Sequence, residues 1–218
     1  GIRDAQESRG LGDVYKRQTL AIVPSGASTG THEAYELRDK ENKDYLGKSV
    51  FKAIENVNGP IFKSLKNIDT EDQSKIDKIL KDLDGTEQKK KLGANAILAV
   101  SIAAIKNAAL ERKVSLFKHI GGNSVNKLPI PMMNIINGGA HAINSLEIQE
   151  FMIRPDGANS FKECMRMSYL VIQKLKKNLE KINISTSVGD EGGFAPSLKS
   201  DEEAIEFIIK SIENAGFD

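Results

Sequence analysis

Cysteine is nearly absent: Cys164 is the only one in 218 residues, so no internal disulfide can form. That fits a reducing, intracellular compartment, the cytoplasm. Charge of one sign is not in excess either. Lys and Arg total 31 and Asp and Glu total 30, a formal net charge of +1. Bulk electrostatics therefore give no case for nucleic acid or an anionic membrane as partner. The longest apolar run, 94–105, is too short to span a bilayer and ends at Lys106, so no membrane span is expected. It reads as a helix buried on most sides, rich in Ala so that neighbours approach closely. No N-terminal run carries a secretory signal pattern. Nothing repeats at solenoid periods, and no Lys-Ser/Thr pair completes a P-loop after SGASTG (25–30). His32 and His119 show no metal-ligand spacing.

What is present is ordinary globular usage, 39% hydrophobic and 28% charged, enough for one large domain or two smaller ones. Residues 1–18 stand apart. They lack hydrophobic periodicity, and DVYKRQ is what GAT-GTG-TAT-AAG-AGA-CAG encodes, which resembles a transposase mosaic end used in sequencing adapters. The expectation is a non-native leader, with native sequence from Thr19. LAIV (20–23) reads as a strand ended by Pro24. Residues 50–65 have helical spacing, with Pro60 expected to start a second piece. Residues 70–85 form a stronger helix, with Thr70 and Gln73 as a capping box and Gly85 just past its end. GGNSVNK (121–127) is polar and flexible and marks a boundary, giving domains 19–126 and 127–218.

From 128 the order is strand, strand, helix, strand, helix: an α/β pattern, the start of a layered or barrel domain. MNII continues a proline-led strand, NGGAHAIN (137–144) is a glycine-rich loop, and IQEFMI (148–153) is a strand. Residues 159–182 form an amphipathic helix capped by Ser160 and Glu163, with Phe161, Met165, Ile172, Leu175 and Leu179 on its apolar face. TSV (186–188) is a short strand. Residues 201–216 form a helix capped by Ser200 and Glu203, with Ile205, Ile208, Ile209 and Ile212 on one face. Cys164 reads as a half-buried helix residue without chemistry.

The stretch VGDEGGFAP (188–196) sets two adjacent carboxylates, Asp190 and Glu191, among three glycines at a strand end. By itself this is a solvated turn. In an α/β barrel, however, chemistry sits at the C-terminal ends of strands and in the loops after them. His141, Gln149–Glu150 and Glu191 have that placement or lie near it. Singly, His141 reads as a turn histidine satisfied by backbone, and Glu150 as an edge-strand residue facing solvent.

The combination says more. PSGASTG (24–30), ELRD (36–39), YLGKSV (45–50), LDGTE (83–87), LGANAILAVS (92–101), MNIINGGAHAIN (133–144), QEFMI (149–153) and VGDEGGFAP (188–196) resemble the enolase family in order and spacing, over essentially all of 19–218. QEFMI and SLKSDEEA resemble bacterial more than animal forms. The resemblance implies an N-terminal α+β domain, here lacking its first strands, then an incomplete eight-stranded barrel opening on two antiparallel strands. It implies reversible dehydration of 2-phosphoglycerate to phosphoenolpyruvate with two Mg²⁺ ions, and a homodimer or larger assembly. A cell-surface or secreted pool beside the cytoplasmic one is also compatible. Glu191 matches the proton donor to the leaving hydroxyl, and Glu150 a residue working with it. His141, Gln149 and Glu150 match substrate-contacting positions, and Ser28 a loop serine that binds magnesium. The flanking glycines are expected to let backbone approach substrate and metal. The family's base, principal metal carboxylates and phosphate-binding residues match nothing before Asp218, so this chain alone is expected to be inactive. Ile143 departs from the family's commoner residues, a change expected to be tolerated. A non-catalytic phosphate-binding or interaction module built on SGASTG and the glycine loops is the other reading.

Overall fold

The computed structural model describes residues 8–9, 18–26, 30–189 and 192–218. Two compact units divide the chain, Gly1–Asn126 and Lys127–Asp218.

In the first unit, strands β1 (Ser8–Arg9) and β2 (Gln18–Thr19) pair antiparallel, with Ser8 opposite Thr19. Residues 20–23 have no regular structure and join no ladder among the described residues, contrary to the expected strand. The period-two pattern survives without one: Ala21 is buried, while Leu20 and Ile22 face outward. Helix α1 (Phe51–Asn56) passes through a π turn, Val57–Ile61, into α2 (Phe62–Ser64). Pro60 lies inside that turn rather than starting a helix. The wider register absorbs the N–H that proline lacks, and the chain continues without a break.

Helix α3 (Gln73–Asp84) is capped by Asp72, whose side chain accepts from the Lys75 N–H; the expected cap at Thr70 is displaced by this nearer carboxylate. Gly85 ends the helix in the left-handed region, at φ 67°. Helix α4 (Ala94–Glu111) runs on past Lys106, whose ammonium reaches the Leu20 carbonyl at 2.6 Å. It is the one described helix long and apolar enough to cross a membrane by length and composition. Its small face is already occupied: Ala96 and Ala104 join Ala53, Ile61, Ile76 and Leu80 in one buried cluster. Helix α5 (Leu116–Gly121) closes the unit.

Two aspartates fix the loops around these helices. Asp39 accepts from the Ser49 hydroxyl and from the Phe51 and Lys52 N–H groups, capping α1 from a distance. Asp84 accepts from the Leu92 N–H at 2.7 Å and from both donors of Thr86. Burial pushes each carboxyl up, but these hydrogen bonds and the nearby lysines outweigh it, and both end below the usual Asp value. A carboxyl depressed in the folded state stabilises above its unfolded pKa, about 3.9, and that stability is lost as pH falls through the folded value. Thermal melts should therefore show the unit losing stability below about pH 4. The D39N/D84N pair should be less stable near neutrality and less sensitive to acid; an unchanged acid slope contradicts this.

In the second unit, β3 (Met133–Asn137) and β4 (Glu150–Ile153) pair antiparallel, Asn137 opposite Glu150, with an irregularity between Asn134 and Ile136. The expected third strand, 186–188, is reduced to bridges: Val188 to Phe194, and Phe194 in parallel to Ile136. Helices α6 (Phe161–Glu180) and α7 (Asp201–Asn214) begin at Ser160 and Ser200, whose side chains accept from the Glu163 and Glu203 N–H groups.

The buried faces differ from those expected. On α6 they are Cys164, Ser168, Val171, Leu175, Asn178 and Leu179, while Phe161 and Met165 are exposed. Cys164 is thus buried rather than half-buried. On α7, Ala204, Ile208 and Ser211 are buried, with Ile205 and Ile209 outward. The reason is polar pairing: Asn178 donates to Ser211 Oγ at 3.0 Å, and Ser211 donates to the Phe207 carbonyl. Satisfied polar groups can occupy an interface that a purely apolar pattern would give to isoleucine. Ile135, Ile136, Phe151, Leu175, Leu179 and Phe194 form the centre of this unit's core.

Candidate functional site

The site is built where β3 ends. After Asn137 the chain enters two glycines and a single 3-10 turn, Gly139–His141. The glycines are required by what lies against them. A Cβ on Gly138 would clash with the Ile148 carbonyl oxygen, and one on Gly139, at φ 51°, would meet the Glu147 oxygen at 2.9 Å. The segment leading into β4 is held there by Gly138 N–H donating to the Gln149 carbonyl and Gly139 N–H to that of Leu146, at 3.0 and 2.7 Å.

This fold-back brings His141 to Glu150, the first residue of β4, with Nδ1 3.7 Å from Oε1. Among the described residues neither ring nitrogen of His141 has a hydrogen-bond partner, and both are buried. The reading of a turn histidine satisfied by backbone is corrected to this extent: its main-chain N–H donates to the Gly138 carbonyl, but its imidazole finds no hydrogen-bond partner among the described residues. A buried, unpaired polar group carries a desolvation cost of about 1–3 kcal/mol, which a polar ligand would relieve. Glu150 is half-buried rather than facing solvent, and Gln149 precedes the strand with an exposed side chain. Ile143 is fully exposed, so its bulk meets no core.

Glu191 and Asp190 lie outside the described residues, as does Ser28. The flanks of the acidic pair are described. Gly189 N–H donates to the Gly193 carbonyl at 2.8 Å, and Gly192 N–H to that of Gly189 at 3.2 Å. A Cβ on Gly193 would come within 2.7 Å of the Ile135 carbonyl carbon, and one on Gly189 within 2.6 Å of Asn137 Nδ2. Gly189 and Gly193 therefore pack closely against β3.

Sequence reasoning missed Asn137 and Asn144. Asn137 is wholly buried, and Asn144 Nδ2 donates both to its carbonyl and to that of Pro196, at 2.9 and 3.0 Å. The available signal was an asparagine closing an apolar strand directly before Gly-Gly, a position where a buried amide must find partners. Near the other candidate loop, Ser25 donates to Glu36 at 2.8 Å, and Gly30 N–H to Glu33 at 2.9 Å, so both described ends of SGASTG rest on carboxylates.

Among the described residues, no group of three or more His, Cys, Asp or Glu could hold a metal ion. At the His141 site the carboxylate is that of Glu150, and the unpaired atoms are imidazole nitrogens, whereas magnesium prefers oxygen. The described residues alone do not make a magnesium site.

Chemically, the arrangement offers an imidazole able to hydrogen-bond a ligand beside the Glu150 carboxylate, at the end of β3. Against known families, the model for "Enolase, N-terminal domain" matches residues 12–120, beginning inside the leader read above as foreign. The model for "Enolase, C-terminal TIM barrel domain" matches residues 125–218.

Proposed function

The chain belongs to the enolase family, and on that premise we propose that the full-length protein containing it dehydrates 2-phosphoglycerate reversibly to phosphoenolpyruvate, in the cytoplasm. An enolase-type lyase follows from the family; the substrate, residue roles and compartment are our reading. The observation that carries it is the imidazole of His141 beside Glu150, both ring nitrogens buried and without a hydrogen-bond partner among the described residues.

In this reading, His141 and Gln149 hold the substrate at the end of β3, and Glu150 shares that contact. Glu191 donates a proton to the departing hydroxyl, which is a poor leaving group without one. Two Mg²⁺ ions are proposed for the complete enzyme, where such cations stabilise charge developing on a substrate carboxylate; Ser28 is the ligand this chain would contribute. The 218-residue chain alone is proposed to be inactive, because it holds the acid and matches no family base. A homodimer or larger assembly is proposed for the whole protein, and residues 1–18 as a non-native leader. Genomic DNA encoding that leader upstream of Thr19 would overturn the last point.

The test is His141→Ala in the full-length protein, followed by steady-state dehydration of 2-phosphoglycerate. A hydrogen bond to a charged ligand is worth about 1.5–3 kcal/mol, so kcat/KM should fall about 10- to 100-fold. Unchanged turnover contradicts the assignment. No turnover in the unaltered full-length protein would leave a binding module as the better reading.

A further inference from the structure

The loop that carries His141 leaves β3 at Asn137 and is tied back to it by Asn144. Asn144 Nδ2 donates to the Asn137 carbonyl at 2.9 Å and to the Pro196 carbonyl at 3.0 Å. Its Oδ1 accepts from the Leu146 N–H at 3.2 Å. The first of these bonds closes a ring of chain, 137–144, with the 3-10 turn of His141 inside it. Asn137 is also the residue that pairs with Glu150 across the β3–β4 ladder. One side chain therefore returns the loop to the ladder position facing Glu150, where His141 Nδ1 stands 3.7 Å from Oε1. The residues after it are pinned in turn: Ser145 Oγ donates to the Leu198 carbonyl, and the Glu147 N–H to Asp201 Oδ1 at 3.1 Å. Ile143, just before it, is fully exposed, so hydrogen bonds rather than packing of that side chain hold this leg of the loop.

The chemistry at position 144 is specific. Two carbonyls and one N–H converge on it, so the group there must donate twice and accept once. A carboxamide does this without charge; a carboxylate has no proton to give, and a hydroxyl has one. An amide engaged at both its nitrogen and its oxygen has a single orientation, so it fixes what it holds. We propose that Asn144 is a positioning residue for His141: it closes the loop 137–144 and thereby holds the imidazole beside Glu150. It acts through His141 and not on the substrate. The effect on turnover rests on the reading of His141 as a substrate-binding group; the placement of the ring does not.

The experiment uses the full-length protein with isotope-labelled histidine. The His141 ring signals in the NMR spectrum are identified by their loss in His141→Ala. In Asn144→Ala, which adds no charge, they should move while those of His32 and His119 stay in place; unmoved His141 signals overturn the proposal. If the variant does not fold, amide exchange in the unaltered protein decides. The Asn144 carboxamide protons should be strongly protected, and exchange at the free-amide rate overturns the proposal. Kinetics supply the second arm. A misplacement of about 1 Å can cost about 100-fold, so kcat/KM for dehydration should fall about 10- to 100-fold in Asn144→Ala. In the His141→Ala background the same change should cost less than about twofold, because the group it places is gone. A loss of equal size in both backgrounds, or none where His141→Ala loses activity, overturns the proposal. If His141→Ala itself leaves turnover unchanged, the substrate reading fails, and the ring signals alone decide the placement.

Discussion

Glu191→Gln in the full-length protein should lower kcat for dehydration by about 10²- to 10⁴-fold while leaving 2-phosphoglycerate binding nearly unchanged. Glutamine keeps the length and hydrogen-bonding shape of a protonated glutamate but has no proton to give. If Glu191 acts on the leaving hydroxyl, the loss appears in kcat and kcat/KM together, because the interaction exists in the transition state. A loss confined to KM would instead make Glu191 a binding group. Retained turnover would refute its role as the acid.

The second large effect is on stability. Gly193→Ala should destabilise the second unit by about 1–3 kcal/mol, the usual cost of forcing atoms into a packed site. The new methyl would lie 2.7 Å from the Ile135 carbonyl carbon and 2.9 Å from the Ile136 nitrogen. Both are backbone atoms of β3, which cannot rotate aside as a side chain can. Gly157→Ala is the control: nothing lies within 4 Å of its added methyl, and its φ is outside the left-handed range. It should be neutral or stabilising by up to about 1 kcal/mol, through a less flexible unfolded chain. Urea midpoints for the two variants settle the comparison. Equal midpoints would mean that Gly193 is not packed against β3 as described.

These effects also show what could be read from sequence. The two strands were legible as the runs MNII and IQEFMI (148–153), although the second begins only at Glu150, while their antiparallel pairing was implied by the family resemblance alone. Ser160 and Ser200 were legible as caps because each stands three residues before a glutamate at the start of a periodic run, and the structure shows each accepting from that glutamate's N–H. Thr70 was misread because Asp72, nearer to the helix, offered a stronger acceptor that the capping-box pattern did not weigh. The faces of α6 and α7 were misread for a different reason. Asn178 and Ser211 satisfy each other inside the interface, and no hydrophobic pattern shows a pair that forms across two helices.

At the site, His141 and Glu150 were identifiable by type and motif, but their approach depends on a fold-back closed by Gly138 and Gly139. Asn137 stayed hidden because its importance lies in partners more than fifty positions away, at Gly193 and Phe194.

The most direct test of the central claim is a crystal structure of the full-length protein with 2-phosphoglycerate and Mg²⁺. The account predicts substrate at the C-terminal end of β3, with a polar atom within about 3 Å of a His141 ring nitrogen. Substrate bound elsewhere, with the His141 imidazole still unpartnered, would contradict it.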